Sequence, residues 1–281
     1  MNVIESEYNG FCKGVTDALS LVDKALKTGT PVFLTGEIIH NTPVTEYYQK
    51  LGVRIIDQKE VSGTVVVAAH GETDANLKKL SISGVNILNG TCPVVEGRKR
   101  LIDKQYKSGE LVVLFVKSRS HAEVKTLIND NNLNVVSDLT ELNDFINRTA
   151  SPSRILYVHT QTTFKKEKTE DYVNRLRPFY KDVVVSSSVC KDCYNRQCSA
   201  ERIARLSDCV VVVGSSHSSN AGELIKVINS VGSKGVLVES EHDIPDYVFD
   251  FQNVGIISSA SSSYERFKAI VSRLKNTRSL P

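Results

Sequence analysis

Short apolar runs alternate along the chain with stretches in which apolar residues recur every three or four positions, and the whole alternation occurs three times. The short runs read as strands and the 3.6-residue recurrence as helix faces. Each module opens on a strand-like run: Val3-Ile4, residues 85–88, and residues 183–185. Behind the first, Val15, Ala18, Leu19, Val22, Ala25 and Leu26 share one helix face; Val94, Val95, Leu101 and Ile102 do so in the second. Ile203 and Leu206 mark a weaker counterpart in the third. A second strand follows at 32–34, 111–116 and 209–213. A further helix is marked by Val44, Tyr47, Tyr48 and Leu51, then by Val124, Leu127 and Ile128, then by Ala221, Leu224, Ile225 and Ile228. Two more strands and a closing helix, such as Phe267, Ile270, Val271 and Leu274, complete the unit.

Strand alternating with helix predicts right-handed crossovers and mainly parallel sheets. The expected class is α/β, with three pseudo-threefold-related lobes at 1–91, 92–189 and 190–281 around a central cavity. In such sheets ligands sit beyond the carboxyl ends of the strands. Polar clusters fall at those ends: His40-Asn41, His121-Ala122-Glu123 and Ser218-Ser219-Asn220, and later Ala69-His70-Gly71, Thr160-Gln161-Thr162-Thr163 and residues 258–263. His40, His121 and Ser219 stand 28, 29 and 29 residues beyond the cysteines that begin their modules, Cys12, Cys92 and Cys190.

Length alone would give about two domains for 281 residues, and the repeat changes that to three lobes. An apolar share of 41% with 24% charged residues is that of an ordinary globular chain. A net charge of +3 gives no reason to expect a nucleic-acid partner, and Arg98-Lys99-Arg100 reads as a solvated helix face. The N-terminus lacks a basic stretch followed by an apolar segment, so no secretory signal is expected. The longest apolar runs, such as 210–213, are far too short for a membrane span. Six cysteines in such a chain are expected to be reduced or metal-bound, in the cytoplasm.

Cys12, Cys92 and Cys190 are spaced 80 and 98 residues apart, each just before a predicted helix. A helix N-terminus favours a thiolate by roughly 0.3–1 kcal/mol. Soft thiolates select iron–sulfur clusters, zinc or Cu(I). Zinc would take four ligands at close pairwise spacing, so the wide spacing favours a cluster, with one metal left open by three ligands. The alternative is that all three are buried structural cysteines. His40, His70 and His121, with Ser218, Ser219, Asn220 and Ser261, supply donors suited to an anion such as a phosphate ester or diphosphate. His159, His217 and His242 read as structural. Glu123 is either a proton donor or a glutamate capping the first turn of a helix.

Phe11-Cys12-Lys13-Gly14-Val15, His40-Asn41, Ala69-His70-Gly71, Thr91-Cys92-Pro93, Thr160-Gln161-Thr162-Thr163, Arg196-Gln197 and Ser218-Ser219-Asn220 occur in this order. The ordered set resembles the LytB/IspH reductases over essentially the whole chain. The resemblance implies reduction of 4-hydroxy-3-methylbut-2-enyl diphosphate to isopentenyl and dimethylallyl diphosphate, the last step of the methylerythritol phosphate pathway. It further implies a [4Fe–4S] cluster on Cys12, Cys92 and Cys190 with one open iron. Thr162 would position the substrate hydroxyl and Glu123, beside His121, would relay a proton. His40, His70, His121, Ser218, Ser219, Asn220 and Ser261 would take the diphosphate, and ferredoxin or flavodoxin would bring electrons.

The chain departs from the family pattern in places. Ala122 stands where proline is usual, Ser259 replaces a glycine, and the acidic residue usual shortly before the second cysteine is absent, with Asn89-Gly90 in that stretch. Without that glycine, the loop is expected to lack a residue that reaches positive φ freely. Cys193 replaces a hydroxyl residue and Cys198 adds a thiol. These are either packing residues or thiols that could close the cluster as a fourth ligand, repair it, or form a redox pair. Closure would give a redox sensor or electron carrier, and divergence elsewhere would give action on another small substrate.

Overall fold

The computed structural model describes residues 1–56, 61–129 and 131–276. Strands and helices alternate along most of the described residues. The first stretch runs β1 (Asn2–Glu5), α1 (Lys13–Leu26), β2 (Val32–Leu34), α2 (Thr42–Lys50), β3 (Arg54–Ile55), β4 (Thr64–Val66), α3 (Asp74–Ile82) and β5 (Asn86–Leu88). The second runs α4 (Pro93–Lys107), β6 (Leu111–Phe115), α5 (Ala122–Ile128), β7 (Asn134–Val136), α6 (Leu139–Thr149), β8 (Ser151–Thr160), α7 (Lys166–Leu176) and β9 (Tyr180–Ser187). The third runs α8 (Lys191–Ala204), β10 (Cys209–Val213), α9 (Ser219–Ser230), β11 (Lys234–Val238), β12 (Asn253–Ser258) and α10 (Tyr264–Lys275).

These strands form three four-stranded sheets, ordered β3-β2-β4-β5, β7-β6-β8-β9 and β11-β10-β12-β1, and every pairing is parallel. The expected α/β class with three mainly parallel sheets is therefore present. The strand before each cysteine closes the sheet of the preceding repeat: β5 before Cys92, β9 before Cys190. For Cys12 that strand is β1, which pairs with β12 in register from Asn2↔Asn253 to Glu5↔Ile256. Val3-Ile4 thus leaves the stretch 1–91 to which sequence assigns it, because the repeat closes on itself.

By internal contacts the chain divides into two compact units. One comprises Met1–Thr16, Ile39–Tyr47 and Lys191–Pro281 and holds the sheet of β1, β10, β11 and β12. The other comprises Asp17–Ile38 and Tyr48–Cys190 and holds the remaining two.

Central strands are covered on both faces, which explains their unbroken apolar runs. In β10, Cys209, Val211 and Val213 pack with Val254, Ile256, Phe267 and Ile270. Val210 and Val212 point the other way, into Ala200, Ile203, Leu224 and Ile228. Strand β6 does the same: Leu111, Val113 and Phe115 enter one cluster and Leu114 another.

Two surface expectations fail. Leu206 lies beyond α8 and is 60% exposed, and Tyr47, Leu51 and Val94 are also exposed. Conversely, Arg98 and Lys99 are buried, so only Arg100 of that basic run is solvated. Lys99 is drawn inward because its ammonium donates to Asp74 at 2.6 Å and to the Glu72 carbonyl at 3.0 Å. Arg98 is held by backbone carbonyls. Among the described residues no helix is long and apolar enough to cross a membrane.

Candidate functional site

Each of the three cysteines caps the helix behind it. The Cys12 and Cys92 carbonyls accept the first helical hydrogen bonds, from Thr16 at 3.0 Å and Glu96 at 2.9 Å, and Cys190 immediately precedes α8. Their own N–H groups donate to equivalent loops at the ends of third strands: Cys12 to Ala260 (3.0 Å), Cys92 to Ala69 (3.0 Å) and Cys190 to Thr162 (2.8 Å). One backbone bond thus sets each thiol at a helix N-terminus. All three are partly buried and free of disulfides; Cys193 and Cys209 are buried and Cys198 is exposed.

The helix N-terminus does not win at Cys92. Burial raises its thiol pKa, and the Val94 and Val95 N–H groups offset that only in part, while the charges of Cys190 and Glu123 raise it further. The expected thiolate preference is overturned here by desolvation. Cys92 and Cys190 are close enough to feel each other's charge, and a cationic metal group would offset that repulsion. Among the described residues, no three His, Cys, Asp or Glu are gathered as for a single ion, and the fit rests on these settings.

Glu123 lies in the first turn of α5 and is 3% exposed. Its Oε1 accepts the Thr162 N–H at 2.7 Å and its Oε2 accepts the Thr162 hydroxyl at 2.6 Å. It therefore does not cap the helix. His121 is the cap, its Nδ1 accepting the Glu123 N–H at 3.2 Å, which leaves the ring proton on Nε2 when the imidazole is neutral. Ala122 takes the first helical position, where proline is favoured but not required. Burial raises the Glu123 carboxyl pKa against the opposing pull of Arg98 and the two Thr162 hydrogen bonds.

His70 meets His121 edge-on, with ring centroids 5.7 Å apart. Gly71, at φ +82°, makes that approach possible: a Cβ there would lie 2.6 Å from Thr126 Cγ2. This glycine serves close packing. The second compact unit thus brings together Cys92, Cys190, Glu123 and Thr162, and pairs His70 with His121.

The first compact unit holds Cys12, His40, Ser218, Ser219, Asn220 and Ser261. Ser218 caps α9, accepting the Ala221 N–H at 3.3 Å, and also accepts the Ser261 hydroxyl at 3.4 Å. Asn220 Oδ1 accepts the Ala260 N–H at 2.9 Å, while its Nδ2 is buried without a hydrogen-bond partner. Asn41, beside His40, donates from Nδ2 to the Ser261 carbonyl at 2.6 Å. A buried donor left open among hydroxyls is suited to an anion.

Ser259 causes no strain here. Asn129 is the one non-glycine residue with positive φ among those described, so the loop takes ordinary backbone angles. Room for the serine comes from Gly214, where a Cβ would stand 2.9 Å from Ser259 Oγ. The sequence marks Arg98 as solvated and Arg196 only as part of a motif, yet both are buried against the cysteine loops. Their shared offset of six residues from a cysteine is the signal that would have found them.

The profile of the LytB protein family matches residues 3–275. A 4-hydroxy-3-methylbut-2-enyl diphosphate reductase from Ralstonia nicotianae is 28% identical over 282 residues, covering 97% of this chain and 86% of its own. Proteins of the same name from Haemophilus influenzae and Neorickettsia sennetsu are also 28% identical, over 98% and 95% of this chain and 90% and 89% of theirs. Among solved structures, the E-1-hydroxy-2-methyl-but-2-enyl-4-diphosphate reductase of Plasmodium falciparum matches with a TM-score of 0.91 at 24% identity, over 98% of this chain and 88% of that one. A second, the (E)-4-hydroxy-3-methyl-but-2-enyl diphosphate reductase described as the terminal enzyme of the non-mevalonate pathway, gives 0.70 at 25% identity, over 98% and 99%. The profile takes in all three cysteine loops, and the chain belongs to the LytB family, iron–sulfur oxidoreductases of isoprenoid biosynthesis.

Proposed function

We propose that this chain converts 4-hydroxy-3-methylbut-2-enyl diphosphate to isopentenyl diphosphate and dimethylallyl diphosphate, with Cys12, Cys92 and Cys190 holding a [4Fe–4S] cluster. When bound, that cluster would supply an iron without a cysteine ligand, acting as Lewis acid and electron relay. The reaction takes two electrons and two protons and releases the hydroxyl as water. Ferredoxin or flavodoxin would bring the electrons singly.

The observation that carries the reading is the Glu123–Thr162 pair. A buried carboxyl with a raised pKa holds a proton nearer neutral pH than a solvated one. Thr162 is fixed to it through both N–H and hydroxyl, so the hydroxyl can receive that proton and pass it to a substrate oxygen. His121, whose Nδ1 is occupied, would offer Nε2–H to the substrate. The diphosphate would be taken by His40, His70, His121, Ser218, Ser219, Asn220 and Ser261, the Asn220 amide supplying an open donor. We assign the lobes as 1–91, 92–189 and 190–281, with β1 lent to the third sheet.

The departure at Cys193 bears on this reading. Cys193 is buried in the first turn of α8, three residues past Cys190 in sequence, as suits a packing residue. Cys198 is exposed and about 12 Å further along the helix axis than Cys190. Anaerobic turnover by cluster-reconstituted protein with chemically reduced viologen tests the proposal. Substrate-dependent viologen oxidation is expected. An intact cluster with no oxidation would reject the reductase and favour a closed, non-catalytic centre.

A further inference from the structure

Two arginines occupy the same place in successive repeats. Arg98 lies six residues beyond Cys92 in α4, and Arg196 six beyond Cys190 in α8; they are 5% and 2% exposed. Arg98 donates from Nη1 to the Thr160 carbonyl, at the end of β8, and from Nη2 to the Ser188 carbonyl, two residues before Cys190. Arg196 donates from Nη1 to the Ser258 carbonyl at 2.8 Å, at the end of β12, and from Nη2 to the Gly10 carbonyl at 3.0 Å, two residues before Cys12. Its Nη1 also reaches the Tyr8 carbonyl at 3.2 Å, and its Nε pairs with Asp192 at 2.8 Å. The same fork therefore grips the same two loops in two different sheets.

The remaining repeat lacks the device. Six residues beyond Cys12 stands Ala18, fully buried. There the approach to the next cysteine packs backbone on backbone: a Cβ on Gly90, two residues before Cys92, would lie 2.2 Å from the Val67 carbonyl oxygen.

We propose that Arg98 and Arg196 are positioning residues for the cysteine of the following repeat, Arg98 for Cys190 and Arg196 for Cys12, while Cys92 is held by backbone packing. A guanidinium offers donors in a rigid planar fork and spans two carbonyls at once, which an ammonium on a flexible stem does not. Removing the fork leaves two carbonyls of the cysteine loops without their charged donor, and such loops open more often. The significance for catalysis rests on the reading of these cysteines as cluster ligands; the clamp itself does not.

The test uses the full-length apo protein, so cluster and substrate play no part. Iodoacetamide labelling rates at Cys12, Cys92 and Cys190 are followed separately by peptide mass spectrometry in Arg98→Gln and Arg196→Gln. Arg98→Gln is expected to speed labelling of Cys190 by about tenfold, leaving Cys12 and Cys92 within about twofold. Arg196→Gln should do the same for Cys12 alone. Should a glutamine variant fail to fold, Arg98→Lys and Arg196→Lys, which keep the buried charge but lose the fork, give the same readout. Equal acceleration at all three cysteines in a folded variant, or none at the paired one, overturns the proposal. A chain that shows the paired pattern but binds no cluster would instead reject the ligand reading and leave the clamp standing.

Discussion

The two compact units treat polar groups in opposite ways. Around Ser218, Asn220 and Ser261, neutral hydroxyls and amides bond to one another and to backbone, and the open donor is an uncharged amide. Around Glu123, a carboxyl is buried beside Thr162, with Arg98 pulling its pKa down and burial pushing it up. Neutral donors hold an anion over a wide pH range; a buried acid moves a proton. Substitutions in the serine and asparagine set should therefore act on binding, and substitution of Glu123 on chemistry.

The largest separation is expected from Glu123→Gln, which keeps size and burial but removes the proton. Cluster absorbance should persist while kcat falls by roughly 10²–10⁴-fold. Undiminished kcat would remove Glu123 from proton transfer.

Next comes pH. Burial, assisted by the Arg98 charge, lowers the His159 pKa from 6.5 to about 4, and the ring is tied to Gln105 at 2.6 Å and Ser187 at 2.8 Å. The unfolded chain takes up a proton between those values that the folded chain refuses, so stability falls as pH drops through this window. The full loss is about 3 kcal/mol, on the order of 10² in the unfolding equilibrium. Urea unfolding at pH 7 and pH 4.5 should show it, and His159→Gln should flatten the difference. An unchanged slope in that variant would assign the loss to other groups.

Ser261→Ala, in the neutral set, should raise KM by about tenfold with kcat nearly unchanged. A fall in kcat alone would erase the division between the neutral set and Glu123. Smallest of all, Cys193→Thr should leave turnover within about twofold of the parent, as expected of a packing residue. A large gain in turnover would show that Cys193 had been closing the cluster.

Much of the fold was legible because its central strands are covered on both faces. The runs at 32–34 and 209–213 coincide with β2 and β10, and the parallel sheets follow from the alternation with helices. What sequence could not show was partnership over distance. Nothing local in Val3-Ile4 reveals that its neighbour is β12, some 250 residues on. Arg98 and Lys99 look like solvent residues until carbonyls and Asp74 are brought to them. Glu123 looked equally like a cap until Thr162, 39 residues later, met both its oxygens. Positions of polar residues at strand ends were readable; their hydrogen-bond roles were not.

The pairing of β1 with β12 also sets an order of assembly. During synthesis, the sheets of β2 to β5 and of β6 to β9 have all their strands once residue 187 has emerged. Strand β1 must wait for β12, and long-range parallel pairing of this kind is slow to form. Cys12 takes its place only when Ala260 exists to accept its N–H. Of the three cysteines, the one translated first is thus the last to be set, and anything that needs all three must wait until residue 260 has been made.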